Sequence, residues 1–375
     1  MTVEVRPVRG RMDRYRFVDL PFKLFADNPG WVPPVRMAVH DRLSPEHPAA
    51  EHQQWCTWMA WRDGRAVGRI GACVDRMFNE FHGLSWAWIG FFEAADDTEA
   101  ARALFETAWS WGRDRGATVA TGPASFTTND ECGLQIDQFE SVPQILTPQN
   151  PAYYEALWLE VGWEPAMDLW SWEADRNEIG LSDRQKHGLE RLRRRSDLHI
   201  REMRMKDFDA EVGRFFKVYN RAWAHNWGFA PMTEAEVRHL AKDLKQIIDP
   251  TLGLFVENGA GEQVAVALAL PDTNEALRLH MRSGRLLPFG WAHLLLGVKR
   301  TARVRVLALG VVPELQSRAV GPMLYQALAE RTLAKPRVRS GEASWILSTN
   351  TSMNRALAGL GGRRGKTWRL YQHAL

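Results

Sequence analysis

The stretch VLALGVVPELQSRAVGPMLYQAL (306–328) decides the fold of this 375-residue chain. In and around it, residues 303–312 predict a buried strand, residues 314–321 a loop and residues 322–334 a helix. A buried strand that leads through a tight loop into a helix leaves backbone N–H groups unpaired at the positive end of the helix dipole. The stretch therefore predicts a pyrophosphate-binding turn just before Pro322.

The elements around this stretch recur in the first half of the chain. The second half shows, in order, a strand, two helices, a hairpin, an irregular segment, the stretch above, then a strand, a helix and a closing strand. The first strand is 198–203, the two helices are 209–226 and 233–248, and the hairpin pairs 253–258 with 263–272. The irregular segment is 273–302 and the stretch above lies within 303–334. The last strand, helix and closing strand are 343–349, 350–361 and 366–374. The first half has a similar order, with a hairpin over 56–74 turning at Asp63-Gly64 and strands over 85–94 and 117–124. This recurrence predicts a duplication, with domains at 1–175 and 198–375 joined by a basic linker helix, 176–197.

Length and composition agree with two soluble domains. The chain has 45% hydrophobic and 25% charged residues, which excludes the disordered, collagen-like and disulfide-framework classes. We find neither an apolar run of the roughly 18 residues that a membrane helix needs nor a signal peptide, so we expect a cytoplasmic protein without a membrane partner. Cys56, Cys73 and Cys132 lie far apart, so neither a disulfide nor a metal site is expected.

Positive charge concentrates between Arg184 and Lys206, where nine Lys and Arg face three acids, a local balance of +6. One interpretation is the solvated face of a linker helix; the other is a contact with a polyanion such as tRNA. The residues expected to make that contact are Arg191, Arg193, Arg194 and Arg195.

The loop after the decisive strand resembles that of the GNAT (GCN5-related N-acetyltransferase) superfamily. The superfamily pattern is Gln/Arg-x-x-Gly-x-Gly/Ala, and residues 316–321 are Gln-Ser-Arg-Ala-Val-Gly. Ala319 replaces the first glycine, and Pro322 removes an amide just after the loop. Further segments look like a bacterial family of tandem GNAT-like proteins, namely 17–34, 89–94, 128–137, 220–229, 287–291 and 344–362. The resemblance implies an α/β fold of two GNAT-like domains, each a twisted mixed β-sheet flanked by helices and splayed between its fourth and fifth strands.

The resemblance also implies an acyl-CoA donor, which we expect to be acetyl-CoA, bound by the second copy. In the first copy, Glu93, Asp96 and Asp97 follow the corresponding strand and would repel a pyrophosphate, so that copy is expected to be cofactor-free. Asn350 is predicted to cap the last helix, and it could also line the cleft. The residues expected to bind the cofactor are Val311, Val312, Gln316, Ser317, Arg318, Ala319, Val320, Gly321 and Asn350.

Direct acyl transfer to an amine needs a neutral nucleophile and often a proton donor for the departing thiolate. Superfamily members often place that donor, a tyrosine, four residues before the glycine that closes the last helix, where this chain has Leu357. Tyr371 on the closing strand is the substitute we consider; a packed tyrosine with a satisfied hydroxyl is the alternative. Glu342 is the candidate general base, and a solvated acid at a strand edge is the alternative.

Two groups of residues are candidates for binding the amine acceptor. Asn220, Trp223, Asn226 and Trp227 follow helical spacing and would form one stripe, which could equally face the core. Asn129, Asp130 and Glu131 lie in a polar loop, which could equally be a turn bonded to itself.

Three functions remain open. The first is transfer from acyl-CoA to a small-molecule amine in the C-terminal domain. The second is transfer of an aminoacyl group from charged tRNA, and the third is a catalytically silent binding module. Stabilisation by acetyl-CoA would indicate the first, and salt-sensitive retention of tRNA the second.

Overall fold

The computed structural model describes residues 2–180, 187–191, 196–316 and 320–375. Contacts group the chain into two compact units. Unit 1 comprises Met1–Leu169, Asn274–Leu294 and Lys366–Leu375, and unit 2 comprises Trp170–Thr273 and Leu295–Gly365. These bounds differ from the predicted domains 1–175 and 198–375, because the closing strand and an internal segment of the second half pack with unit 1. Residues 170–175 pack in turn with unit 2.

Unit 1 is an α/β unit with a mixed sheet. Its strands are β1 (Glu4–Pro7), β2 (Gln53–Arg62), β3 (Arg65–Asp75), β4 (Trp86–Ala94), β5 (Val119–Gly122) and β6 (Leu134–Gln135), with parts of β7 (Glu164–Asp175) and β13 (Arg363–Ala374). Its first helices are α1 (Gly10–Leu24), α2 (Arg36–Arg42), α3 (Arg76–His82), α4 (Thr98–Arg113) and α5 (Tyr154–Glu160). Strands β1 to β4 pair antiparallel in order, β4 pairs parallel with β5, and β5 pairs antiparallel with β13.

The predicted turn at Asp63-Gly64 is confirmed, because it joins β2 to β3 with both residues at positive φ, 52° and 76°. Helix α4 begins after Asp97, whose carboxylate accepts the Ala100 amide as an N-cap. The apolar face of α4 packs on the sheet in a core rich in aromatic rings, including Phe92, Phe105 and Trp158.

Unit 2 repeats this order of strands. Its strands are β8 (His199–Glu202), β9 (Gly253–Glu257), β10 (Gln263–Pro271), β11 (Arg303–Val311) and β12 (Ser340–Leu347), and its helices include α6 (Phe208–Trp223), α7 (Glu234–Leu244), α10 (Val320–Leu333) and α11 (Thr351–Gly359). Strands β8 to β11 pair antiparallel, and β11 pairs parallel with β12. The fold class expected from the sequence is therefore confirmed: a mixed sheet flanked by helices in each of two units.

Three predicted segments differ from the structure. Residues 273–302 are not irregular, since they contain α8 (Asn274–His280) and α9 (Gly290–Arg300). Helix α6 ends at Trp223, three residues before the predicted end, and the chain turns there. Helix α10 already includes Val320 and Gly321, so Pro322 lies within its first turn, where proline is tolerated. No helix in the described ranges has both the length and the apolar character required to cross a bilayer.

Candidate active site in unit 2

Strands β11 and β12 separate part-way along their length. Parallel pairing joins residues 303–306 to residues 340–343 and then stops, whereas β11 continues to Val311 and β12 to Leu347. On its other edge β11 stays paired with β10 up to Val311, which lies opposite Ala265. Residues 307–311 therefore extend beyond the pairing with β12, and a strand edge of this kind can bind an extended ligand through its backbone.

The residues predicted to hold the donor begin at this edge. The Val311 carbonyl accepts a hydrogen bond from Gln316 Nε2 at 3.1 Å, while the Val312 amide donates to the Val264 carbonyl at 2.9 Å. The Val312 amide is thus used within the sheet. Val320 is buried and Gly321 half-buried in the first turn of α10. Ser317, Arg318 and Ala319 lie outside the described residues.

A cleft lies between the sheet and helices α10 and α11. It encloses about 850 Å³, part of it open to solvent. Most of its lining is apolar, including Val306, Leu309, Leu328, Ala329, Met353 and Leu357. Leu357 thus contributes hydrocarbon surface at the position where the superfamily pattern has a tyrosine. Asn350 caps α11 by accepting the Met353 amide at 3.1 Å, which confirms its predicted capping role.

Glu342 is 2% exposed on β12, so the alternative of a solvated strand-edge acid is wrong. Its Oε1 accepts a hydrogen bond from Ser344 Oγ at 2.5 Å, and Arg305 Nε donates to the same Ser344 Oγ at 2.9 Å. Arg305 lies opposite Glu342 in the parallel register and also donates to the Ser344 carbonyl at 3.0 Å. A buried carboxylate is tolerated when a cation and hydrogen bonds compensate it, and this group supplies both beside the cleft, where Glu342 is part of the lining.

Tyr325 is a residue of this cleft that was not predicted from the sequence. It lies on α10 and lines the cleft, and burial raises the pKa of its hydroxyl to about 12. The hydroxyl therefore keeps its proton at neutral pH. Helical spacing was the available signal, because Tyr325 follows Gly321 by four residues and so lies one turn further along the same face.

Tyr371 occupies a different environment from the one predicted for a proton donor. It belongs to unit 1, is fully buried, and donates its hydroxyl hydrogen to Glu155 Oε1 at 2.7 Å. Burial, followed by this hydrogen bond, raises the pKa of Tyr371. The candidate base Glu342 belongs to unit 2 instead. Tyr371 is therefore a packed tyrosine with a satisfied hydroxyl, the alternative given for it above.

The first predicted acceptor group does not form one stripe. Asn220 and Trp223 lie on α6, but Asn226 and Trp227 follow the end of the helix and so lose the helical spacing. Trp223 packs on the backbone of β11: a Cβ built at Gly310 would lie 2.1 Å from its ring. Among the described residues, the buried Asn220 Oδ1 has no hydrogen-bond partner.

The second predicted acceptor group, Asn129, Asp130 and Glu131, lies in unit 1 and forms a turn bonded to its neighbours. Asp130 Oδ2 accepts from the Phe126 amide and from Arg42 Nη2, both at 3.0 Å. The Asn129 amide donates to Thr127 Oγ1, and the Glu131 carbonyl accepts from the Ser125 amide. This arrangement agrees with the alternative given above for the loop, a turn bonded to itself, rather than with acceptor binding.

The basic segment is less positive than its own residues suggest. Arg201 pairs with Glu211 and Glu257, at 2.6 Å in each case, and both acids lie outside the segment. Arg191 is exposed, whereas Arg193, Arg194 and Arg195 lie outside the described residues. The local balance of +6 therefore overstates the charge available to a polyanion.

Known proteins resemble this chain along its whole length. The bacterial ceramide synthase of Caulobacter vibrioides is 37% identical over 384 residues, covering 100% of this chain and 98% of that protein. Protein YghO of Escherichia coli is 32% identical over 375 residues, covering 98% and 94%. Among solved structures, a tandem GNAT protein from the clavulanic acid biosynthesis pathway superposes with a TM-score of 0.59 at 14% identity, covering 99% of this chain and 98% of that one. No protein-family model matches.

The chain belongs to the bacterial family that includes these two relatives, and its fold is similar to that of the tandem GNAT protein. In unit 1, two tyrosine side chains meet the counterpart of the β11 edge, where unit 2 has Gln316 bonded to the Val311 carbonyl. The Ala95 and Val312 amides bond in the same way to the adjacent antiparallel strand, at the Val67 and Val264 carbonyls, so Ala94 corresponds to Val311. The Ala94 amide donates to Tyr154 Oη, and Tyr153 Oη donates to the Ala94 carbonyl, both at 2.8 Å.

The repulsion of a pyrophosphate that we expected from the acids of the first copy is weaker than their number suggests. Asp97 is paired with Arg62 at 2.8 Å and caps α4, so much of its charge is compensated locally. Glu93 lies on β4 beside Tyr154 and has a raised pKa, about 7, mainly because of burial. Tyr153 and Tyr154 follow β4 by some sixty residues, and no local pattern connects them to it.

Proposed function

We propose that this GNAT-type acyltransferase transfers a long-chain acyl group from acyl-CoA to the amine of a long-chain amino alcohol, directly and within unit 2. The observation that carries the proposal is the apolar cleft beside the end of the β11–β12 pairing. This goes beyond the acetyl group expected from the sequence, because a cleft lined mostly by hydrocarbon suits a longer apolar acyl chain.

The donor fits the residues at the diverging strands. The edge of β11 at 307–311 would pair with the extended arm of acyl-CoA, and Gln316 with the first turn of α10 would face its phosphates. In unit 1 the backbone groups of Ala94 already bond to Tyr153 and Tyr154. One donor site per chain follows from this asymmetry.

The acyl chain would fill the cleft lined by α10 and α11. Transfer of hydrocarbon from water into an apolar pocket is favourable by about 25 cal/mol per Å² of buried surface. The lining of the cleft is mostly apolar, as this transfer requires. Ala329 and Leu357 lie on facing helices of the cleft and would contact the chain.

The acceptor class comes from the relative in Caulobacter, which is a ceramide synthase by name. A ceramide is the amide of a fatty acid with a long-chain amino alcohol, so its synthesis is an N-acylation. An acceptor of this class would bring its own hydrocarbon chain and a single amine.

Two residues of this chain would each transfer one proton during the reaction. A bound thioester supplies a carbonyl that an amine can attack. Glu342, compensated by Arg305 through Ser344, would accept the proton that the attacking nitrogen loses as the C–N bond forms. Tyr325, protonated at neutral pH, would give a proton to the sulfur as the C–S bond breaks.

The test is amide formation by the purified chain with acyl-CoAs of increasing length as donors and sphinganine as acceptor. Release of the CoA thiol measures the rate, and mass spectrometry identifies the amide product. We expect palmitoyl-CoA to support turnover far better than acetyl-CoA. Ala329→Trp and Leu357→Trp should lower turnover with palmitoyl-CoA at least tenfold, because the indole fills the cleft. Leu240→Trp is the matched control: it alters an exposed leucine on α7 of the same unit and should leave turnover unchanged.

Two outcomes would contradict the proposal. One is equal turnover of acetyl-CoA and palmitoyl-CoA that neither cleft variant affects. The other is amide formation that requires aminoacyl-tRNA and proceeds without acyl-CoA, which would support the tRNA-dependent alternative instead.

A further inference from the structure

A surface of unit 1 exposes several large apolar side chains at once. Between α8 and the start of α9, Leu287 is 74% exposed, Phe289 71% and Trp291 52%, and Leu279 on α8 is also exposed. We call these four residues the apolar loop surface. Single exposed apolar residues are common on proteins, whereas a group within thirteen consecutive positions marks an interaction surface.

Hydrogen bonds hold the loop in this exposed form. The Trp291 amide donates to the Leu286 carbonyl at 2.9 Å, and Trp291 Nε1 donates to the Pro288 carbonyl at 3.0 Å. At the base of the loop, the Arg36 amide donates to the Gly284 carbonyl at 3.0 Å, and Arg36 Nε donates to the Ser283 carbonyl at 2.6 Å.

Gly284 makes this attachment close. It has a φ of +63°, and a Cβ there would lie 2.4 Å from the Pro34 carbonyl oxygen, so only glycine fits. The apolar side chains thus lie on a loop that hydrogen bonds hold both at its base and within its turn.

Positive charge accompanies the apolar side chains. Residues 276–294, which belong to unit 1, contain three Arg and no Asp or Glu. Arg278 and Arg282 extend toward the chain at 26–29 and donate to backbone carbonyls there, and Asp27 is the one acid of that loop. Arg285 is exposed next to Leu287. The cations therefore meet mainly carbonyl dipoles rather than carboxylates, and the surface keeps a positive balance.

We propose that the apolar loop surface docks on a lipid bilayer that contains anionic lipids. Leu287, Phe289 and Trp291 enter the boundary between headgroups and acyl chains, a region that tryptophan and phenylalanine favour. Arg282 and Arg285 face the phosphates of anionic headgroups, whose surface potential attracts basic residues. This proposal rests on the exposed surface alone and does not depend on the proposed acyl transfer.

The test is co-sedimentation of the full chain with vesicles of phosphatidylcholine, alone or with about 25% phosphatidylglycerol. We expect binding to the anionic vesicles, weakened by salt, and at least tenfold weaker partitioning for Leu287→Ser combined with Phe289→Ser. The matched control is Phe81→Ser, which removes an exposed phenylalanine from α3 of the same unit and should bind like the unaltered chain. Equal melting temperatures would show that all three proteins are folded.

Two results would overturn the proposal. One is a lack of binding to anionic vesicles, or binding that the double variant does not weaken. The other is light scattering of the chain in solution that shows a dimer, which the same double variant dissociates; the occupant of the surface would then be a second copy of the chain.

Discussion

Tyr154 donates its hydroxyl hydrogen to Glu93 Oε2 at 2.9 Å, although the two residues are 61 positions apart. The same hydroxyl oxygen accepts the Ala94 amide at 2.8 Å, and Tyr153 satisfies the Ala94 carbonyl. In unit 2 the corresponding residue of the strand is Val311, whose carbonyl accepts from Gln316. Two copies with the same strand order thus differ in what meets the fourth strand: two tyrosine hydroxyls bond both backbone groups of Ala94 in unit 1, whereas Gln316 bonds the Val311 carbonyl in unit 2.

Replacing Tyr154 by Phe should destabilise unit 1. The substitution leaves the buried Ala94 amide without its acceptor, and an unsatisfied buried group costs about 1–3 kcal/mol. Urea unfolding would measure the loss. Tyr15→Phe, at an exposed tyrosine of α1, should change the free energy of unfolding by less than about 0.5 kcal/mol. A Tyr154→Phe variant as stable as the original chain would show that this hydroxyl does not support the strand edge.

Glu93 should make stability depend on pH. Burial raises its pKa to about 7 in the folded chain, so between about pH 4.5 and 7 the folded carboxyl retains a proton that the unfolded one releases. Stability therefore falls as pH rises through this window. Glu93→Gln removes this pH dependence. The free energy of unfolding of the variant minus that of the original chain should therefore increase by about 2–3 kcal/mol between pH 5 and pH 8.

Unfolding of both proteins at several pH values would check this. The side chain of Glu93 is 19% exposed, so solvent screening reduces the effect only in part. Glu106→Gln, at an exposed glutamate of α4, should show no such trend. Parallel pH profiles for Glu93→Gln and the original chain would contradict the assignment.

Gly321→Glu should abolish binding of acyl-CoA while the fold persists. A Cβ at this position would be in ordinary contact with Tyr325, 3.8 Å from Cε2, so the backbone accepts a side chain. The carboxylate would crowd and repel phosphates at the first turn of α10. Calorimetry should show one acyl-CoA bound per original chain and none per variant chain.

A matched glycine tests the specificity of this effect. Gly359 lies near the end of α11 in the same unit, and a Cβ there would meet no atom within 4 Å. Gly359→Glu should keep the affinity for acyl-CoA. Unchanged affinity in Gly321→Glu would mean that the donor binds elsewhere.

Glu342→Gln should lower kcat about 10²- to 10⁴-fold if the carboxylate is the base, because that is the usual contribution of a positioned proton acceptor. The KM for acyl-CoA should change little, and the activity of the variant should lose the acidic limb of the pH profile. Glu330→Gln, at an exposed glutamate of α10, is the control. The contrary outcome is a variant that melts at a lower temperature but whose folded fraction keeps the original kcat and pH profile. Glu342 would then have a structural role and no catalytic one.

The order of elements was accessible from the sequence because it depends on nearby residues. The Asp63-Gly64 turn, the apolar run of β11, the N-cap at Asn350 and the strand over 85–94 are all coded within about a dozen positions. The helices within 273–302 were not recognised in this way, and no residue of α9 is buried, so its apolar residues do not mark a core-facing side. The prediction that Asn220, Trp223, Asn226 and Trp227 form one stripe was wrong, because nothing in their spacing reveals that α6 ends at Trp223.

The sequence by itself determined the duplicated α/β order, the resemblance to tandem GNAT-like proteins and the strand, loop and helix for which a donor is proposed. Hydrophobic periodicity and turn chemistry act over a few residues, so they can be recognised along the chain. Only the tertiary structure decided that Glu342 is buried against Ser344 and Arg305, that Tyr371 belongs with Glu155, and that Tyr153 and Tyr154 fill the first copy's strand edge. Those contacts join residues far apart in sequence, and their energies arise from packing and desolvation that exist only once the chain has folded.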